Sequence, residues 1–419
     1  MIRSILPEER RETMATLFDN LKPLKRMNWI MTLAVLSLLV IGVLFVYSSC
    51  YISDERPVRI LYKRQALWAV AGLLCYGTFA CIDYRRLRRF SWWSYAVCLV
   101  LLAAVLAVGT RIYGARRWLS FFGFGLQPSE LAKLATIAVL ARKLSRPGLS
   151  LGEAWSLAEI GLVVLVPFAL IVKEPDLGTA LVLLPTAFIM IVASGVPGRK
   201  LLLLLAVGAA GISTLAGALF LPRALNLNPE TENRIMRAVG VSSYHRDRLV
   251  GFFSADSDPL GSGWNKRQSE IAVGSGGTWG KGFLKGTQNI LGFLPRSVAP
   301  TDFIYSVIAE EKGFFGSAVV LGLFGLVLIF GFHAALSSPD KFGRMLCVGI
   351  TTLIFCHVFV NIAMTVGLMP ITGLPLPLLS YGGSFMVVMM SALGIVQSVY
   401  IHSRRQEIVL EQGRLWQTA

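Results

Sequence analysis

Charge is what this sequence has least of. Only 15% of its 419 residues are Asp, Glu, Lys or Arg, against roughly 25% in an ordinary soluble domain. Hydrophobic residues make up 54%. A water-soluble core could not hide that much apolar surface, but a bilayer accepts it. Acid is the scarcer sign, with 24 Asp and Glu against 40 Lys and Arg and a net charge of +16. The six cysteines (Cys50, Cys75, Cys81, Cys98, Cys347 and Cys356) form no CxxC pair, and the four histidines are scattered. Neither a disulfide framework nor a zinc site finds support, and small apolar fillers of membrane helices account for the thiols. No cleavable leader is expected. Residues 1–28 are mostly polar, with Arg10, Arg11, Lys22, Lys25 and Arg26 ahead of the first apolar run.

The basic excess sits in short stretches between apolar runs, as in Tyr84-Arg85-Arg86-Leu87-Arg88-Arg89. That pattern is a topology signal and a lipid contact, so no nucleic-acid partner is expected. A spanning helix needs about 20 mainly apolar residues. Runs near 29–48, 66–82, 94–110, 129–145, 157–173, 177–195, 200–221, 303–333, 343–368 and 383–403 fit. The sequence therefore predicts an all-α integral membrane protein of about ten transmembrane helices, with both termini cytoplasmic. Most basic clusters fall on the terminal side. One loop dissents: Arg56, Arg59, Lys63 and Arg64 lie between the first two spans, on the outer side. A short interfacial helix there would let them reach headgroups. The expected organisation is a cytoplasmic segment 1–28, a membrane domain 29–405 and a tail 406–419. A long outer loop, 222–301, separates helices 7 and 8. Its Gln268-to-Gly277 part mixes apolar and small residues as a folded surface or re-entrant segment does.

Four stretches carry candidate chemistry. Pro300-Thr301-Asp302-Phe303 puts a carboxylate at the mouth of an apolar helix, where it is either a helix cap or a functional acid. Glu310 and Glu311 follow it into the helix and need partners or a polar cavity. Arg116-Arg117-Trp118-Leu119-Ser120 precedes Gln127-Pro128-Ser129-Glu130-Leu131-Ala132-Lys133. Glu130 and Lys133 share a helix face as a self-compensating ion pair, and the two arginines can hold phosphate. Lys173-Glu174-Pro175-Asp176-Leu177 is a charged corner that reads most simply as a capped turn. Met369 to Ser384, including Ser380, Gly382 and Gly383, holds too much Pro and Gly for a helix. Such backbone at membrane depth must be packed in protein or line a wet cavity.

Together, QPSELAKL, KEPDLGTAL, QSEIAVGSGGTWGKGFLKGTQ, TDFIYSVIAEEKGFFG and GLPLPLLSYGGS resemble the SEDS family (shape, elongation, division and sporulation proteins). The likeness runs from about residue 29 to 405. GKGFLKGTQ and LGFLPRS place it nearer the elongation branch than the division branch. Family members of that branch commonly carry Glu-Arg-His before Thr-Asp-Phe, where this chain has Arg296-Ser297-Val298-Ala299-Pro300. The resemblance implies about ten helices and a peptidoglycan glycosyltransferase that polymerises lipid II. It matches the family's essential aspartate to Asp302, and its ion-pair and cavity residues to Glu130 and Lys133. A divalent cation, Mg²⁺ or Mn²⁺, is implied. So are partners: lipid II, the nascent glycan strand, a class B penicillin-binding protein and other elongation-complex membrane proteins. Further expected substrate or cavity residues are Arg116, Arg117, Lys173, Asp176, Arg246, Arg248, Gln268, Ser269, Gly276, Gly277, Lys281, Gln288 and Thr301. Asp302 would be the general base or a metal ligand. A transporter of lipid-linked precursors would use the same cavity, and a scaffold that only positions a partner enzyme is a third reading.

Overall fold

In the computed structural model the described residues are 26–51, 56–112, 115–121, 124–147, 154–174, 176–224, 228, 234 and 262–418. Ten helices of 17 residues or more occur among them. They are α1 Trp29–Cys50, α2 Leu61–Cys81, α3 Arg85–Val108, α4 Pro128–Leu144, α5 Ala154–Lys173, α6 Leu177–Ala193, α7 Gly198–Ala224, α9 Ile304–Leu336, α10 Lys341–Thr365 and α11 Gly383–Thr418. A shorter helix, α8, covers Ser262–Ser275. Seven of the ten are long and apolar enough to cross a membrane. The others fall short for visible reasons. α2 carries Lys63 and Arg64 in its first turn. α4 and α6 have 17 residues each, about 26 Å at 1.5 Å per residue against roughly 30 Å of hydrocarbon.

Short connections make successive helices antiparallel, so the ends alternate. The C-termini of α1, α3, α5 and α10 gather at one end with the N-termini of α2, α4, α6, α9 and α11. The motif-bearing segments all lie there. At this end the chain between α3 and α4 forms three short strands, β1 Thr110–Ile112, β2 Ala115–Phe121 and β3 Phe124–Leu126, in an antiparallel sheet of order β1-β2-β3. Two of the strands have three residues, too few to alternate, and β2 (ARRWLSF) shows no apolar–polar alternation, so hydropathy does not reveal the sheet.

At the opposite end, polar side chains pair inside the bundle. Asn28 caps α1 by accepting from the Met31 amide at 3.0 Å. The Gln397 amide on α11 donates to the Asn28 carbonyl at 2.9 Å and to Tyr76 Oη on α2 at 2.9 Å. Such bonds replace the hydrophobic drive that helices lose once surrounded by lipid tails.

The described part of the expected long loop is folded, as its composition predicts. After α8 the chain runs against the first turns of α9. The Lys281 and Gly282 amides donate to the Glu310 and Glu311 carbonyls, each at 3.0 Å. This crossing demands glycine. A Cβ on Gly276 would stand 2.0 Å from the Ala309 carbonyl oxygen. Gly313, at φ 63° and ψ −157°, breaks the helical path of α9, a conformation almost reserved for glycine. Its Cβ would lie 2.4 Å from the Gly280 nitrogen. Gly313→Ala should therefore cost about 1–3 kcal/mol before the clash is counted. A clearly lowered thermal midpoint of the detergent-purified protein is the expected result.

Candidate functional site

The Pro/Gly-rich segment after α10 is buried and irregular. Leu374, Leu376, Leu378 and Leu379 are at most 1% exposed. Its polar backbone groups are met from several sides. Ser380 Oγ accepts from the Leu376 amide at 2.7 Å and donates to the Thr301 carbonyl. The Tyr381 amide donates to the Pro300 carbonyl at 2.8 Å. Gln65 on α2 donates to the Ser380 carbonyl at 3.1 Å. Asn361 on α10 donates to the carbonyls of Leu374, at 2.7 Å, and Asp302, at 2.9 Å.

These bonds fix Asp302. Its own amide donates to the Val298 carbonyl at 3.0 Å, an acceptor it shares with the Thr301 and Phe303 amides. The Arg296-to-Pro300 stretch thus forms a tight turn that presents the acid at the mouth of α9. Asp302 is half-buried, and Phe303 beyond it is buried. Beside it lies a cavity of about 780 Å³. Thr301, Gly382 and Gly383 line it with Trp118 and Ser120, alternate residues of β2, and with Arg64 on α2. Trp68, also in the wall, packs so closely on Gly383 that a Cβ there would meet its ring at 2.3 Å.

Other expected site residues are placed elsewhere. Arg116 Nη1 donates to the carbonyls of Leu106 and Ala107, at 3.2 and 3.3 Å, and closes the C-terminus of α3. Arg117 reaches the α5–α6 corner: Nε donates to the Glu174 carbonyl at 3.4 Å, and Nη1 stands 4.0 Å from Asp176. Asp176 caps α6 through the Thr179 amide and accepts from Gln127 at 3.0 Å. Lys173 is exposed. Gln268 is buried, and Ser269 Oγ bonds Ser306 Oγ at 2.7 Å and the Thr365 carbonyl at 2.8 Å, tying α8 to α9 and α10.

The loop residues converge on the paired acids of α9. Lys281 Nζ is 2.7 Å from Glu310 Oε1, which also accepts from Thr287 Oγ1 and the Gln288 amide. Glu311 accepts from Ser48 Oγ and the Leu284 amide. Gly277 receives the Phe314 amide at 2.8 Å. Two carboxylates far inside an apolar helix thus act as a latch for the loop. Arg246 and Arg248 lie outside the described residues.

Glu130 and Lys133 are buried and 2.9 Å apart. A third member was not foreseen: His357 Nε2 on α10 lies 2.7 Å from Lys133 Nζ, close enough for that ring nitrogen to accept from the ammonium. The sequence spacing showed the i,i+3 pair, but nothing in it pointed 224 residues on to the histidine. Asn361, Arg64, Trp68 and Trp118 were equally unmarked as site residues.

A divalent cation would find no preformed cage, because no group of three His, Cys, Asp or Glu converges among the described residues. Asp302 would supply a single carboxylate, so a divalent cation there would have to take its other ligands from water and a substrate diphosphate.

Glu174 follows the end of α5. Its carboxyl is fully buried, and neither oxygen has a hydrogen-bond partner among the described residues. Burial pushes its pKa from 4.5 up to about 8, Asp176 adds to the rise, and Arg117 opposes it. The folded state then holds a proton that the unfolded state releases above about 4.5, so stability falls as pH climbs from there towards 8. Glu174→Gln should gain stability relative to the parent as pH rises from 5 to 9, read as the difference in thermal midpoints. A constant difference would contradict this. Lys133→Met, by stranding Glu130, should cost about 3–5 kcal/mol, and adding Glu130→Gln should recover part of it.

Residues 28–405 match the family model described as FtsW/RodA/SpoVE cell cycle protein. The chain is 34% identical over 371 residues to the peptidoglycan glycosyltransferase MrdB of Escherichia coli K12, covering 88% of this chain and 93% of that one. It is 32% identical to the peptidoglycan glycosyltransferase RodA of Treponema pallidum, covering 89% and 97%. It is 33% identical to the stage V sporulation protein E of Bacillus subtilis, covering 90% and 97%. Among solved structures, a chain from a peptidoglycan synthase complex that coordinates polymerization and crosslinking superposes with TM-score 0.72 at 31% identity, covering 90% and 98%. The rod shape determining protein RodA of Thermus thermophilus does so with TM-score 0.62 at 28% identity, covering 89% and 96%.

Proposed function

Because the chain belongs to the FtsW/RodA/SpoVE cell cycle protein family, we propose that it is a peptidoglycan glycosyltransferase polymerising lipid II during cell elongation. It would work as a multi-pass protein of the bacterial cytoplasmic membrane, with both termini inside and the Asp302 end outside. The observation that carries the reading is half-buried Asp302, whose backbone turn is held by Asn361, Ser380 and Tyr381 next to Thr301, which lines a cavity of about 780 Å³. The names of the relatives support the reaction class.

Asp302 takes the proton of an acceptor 4-hydroxyl. The freed oxygen attacks the anomeric carbon of the donor sugar. The bond from that carbon to the lipid diphosphate breaks, its electron pair leaves with the diphosphate, and configuration inverts. Undecaprenyl diphosphate departs, and no covalent enzyme intermediate is needed. A divalent cation, Mg²⁺ or Mn²⁺, would supply charge neutralisation to that leaving group. Rigid placement matters because a general base acts only within hydrogen-bond reach of its proton. A class B penicillin-binding protein would crosslink the strands, alongside other elongation-complex membrane proteins. The structural relative from a synthase that polymerises and crosslinks supports that partnership.

Asp302→Asn, purified with its transpeptidase partner and supplied with lipid II, should polymerise about 10²–10⁴-fold more slowly than the parent. Normal polymerisation would remove Asp302 from the mechanism. Polymer from added lipid II made by Asp302→Asn membranes only when another polymerase is supplied, with lipid translocation stopped, would favour a precursor transporter instead.

A further inference from the structure

We propose that Arg64, at the mouth of the cavity beside Asp302, grips the diphosphate of a polyprenyl-linked substrate. The substrate class rests on the glycosyltransferase reading, but the site itself rests on geometry and charge.

Arg56 and Arg59 precede α2, and Lys63 and Arg64 stand in its first turn, at the end where the charge rule expects few cations. A cation kept there against the rule needs an anion to meet. Among the described residues lining the cavity, Arg64 is the one that is charged. Among the described residues, no carboxylate pairs with its guanidinium, which is exposed. Of the arginines that the sequence offers as phosphate holders, Arg116 closes α3, Arg117 binds the α5–α6 corner, and Arg246 and Arg248 lie outside the described residues.

The helix face behind Arg64 suits an amphiphile. Leu67 and Ala71 follow at helical spacing and also line the cavity. Leu67 is 71% and Leu74 68% exposed, so this wall opens sideways onto the apolar surroundings of the bundle. A ligand with its anionic head at Arg64 would lay its chain along Leu67, Ala71 and Leu74.

Arg64 is also indexed to the acid. The next residue, Gln65, is buried and donates to the Ser380 carbonyl, while Ser380 Oγ donates to the Thr301 carbonyl. Two hydrogen-bonded steps therefore join the helix turn bearing the cation to the turn bearing Asp302. A donor gripped by its diphosphate would have its anomeric carbon, one bond from that group, held within the same cavity. A guanidinium offers paired donors to phosphate oxygens, which an ammonium does not.

The test titrates the full-length protein in nanodiscs, following tryptophan fluorescence, since Trp68 and Trp118 line the cavity. The probes are undecaprenyl diphosphate, undecaprenol and inorganic diphosphate. Arg64→Gln should weaken undecaprenyl diphosphate at least 10-fold and leave undecaprenol unchanged, with Arg64→Lys between. Arg86→Gln, at the opposite end of the bundle, should match the parent, and equal thermal midpoints should show that the variants fold. Undecaprenyl diphosphate bound equally by Arg64→Gln and the parent overturns the proposal, and so does an equal loss of undecaprenol. Inorganic diphosphate binding as tightly as the lipid would overturn the lipid assignment in favour of a free anion. Binding is read without polymerisation. A parent that shows the Arg64-dependent binding but makes no polymer defeats the enzyme reading alone. A parent that polymerises while Arg64→Gln binds normally defeats this one alone.

Discussion

Backbone that leaves the helix inside a membrane bundle loses both its internal hydrogen bonds and the water that would replace them. The segment between α10 and α11 is such backbone, and much of the candidate site follows from how it is satisfied. Ser380 fills both roles of its hydroxyl, accepting from the Leu376 amide and donating to the Thr301 carbonyl. Asn361 spends its amide on two carbonyls from different segments. Gln65 closes the set from α2. Each bond meets a local need, and together they hold Asp302, Arg64 and the two glycines of the cavity wall in one arrangement. Preorganised polar groups cost no rearrangement when charge develops in a reaction. The same bonds that make the broken segment tolerable thus make the site stiff.

The second set of buried charges does different work. Glu310 and Glu311 stand two turns inside α9, and ionised carboxylates there demand compensation. Lys281, the hydroxyls of Thr287 and Ser48, and the amides of Leu284 and Gln288 provide it. Apart from Ser48 on α1, these groups belong to a loop that crosses α9 at glycine-limited distance, so the acids and the loop's path are tied together. The latch lies just beyond the mouth that carries Asp302, so the Ser380 clasp and the loop hold successive stretches at the start of α9. Glu130, Lys133 and His357 form a third buried cluster, between α4 and α10. Residues of α10 therefore serve both that cluster and, through Asn361, the carbonyl of Asp302.

Which of these features the sequence exposed follows from their range. Apolar runs mark helices directly, and all ten expected runs coincide with helices. The sheet at 110–126 escaped because two of its strands have three residues and the third, Ala115–Phe121, does not alternate apolar with polar residues. Glu130 and Lys133 were legible as a pair because three residues is one helical turn. Their histidine was not, since packing two distant helices leaves no spacing. Lys281, Gln288 and Gly276 stood out as unusual residues, yet residue type alone does not separate a group that meets substrate from one that meets a buried acid. Here they meet the acids and backbone of α9. Arg116 and Arg117 carry the same ambiguity: they meet a helix C-terminus and a charged corner here, and such groups attract arginine as phosphate does.

Arg64 shows the converse case. In the sequence it was only a breach of the charge rule, with an interfacial helix as its excuse. A one-turn helix does precede it, at Arg56–Arg59, but headgroup contact explains cations that point away from the protein. It does not explain why one of them lines the cavity that also holds Thr301. Lys63, its neighbour, is exposed and absent from the cavity wall. One helical step of about 100° separates the two, and that step divides a side chain that can serve the membrane surface from one that lines the same cavity as Thr301, the neighbour of Asp302.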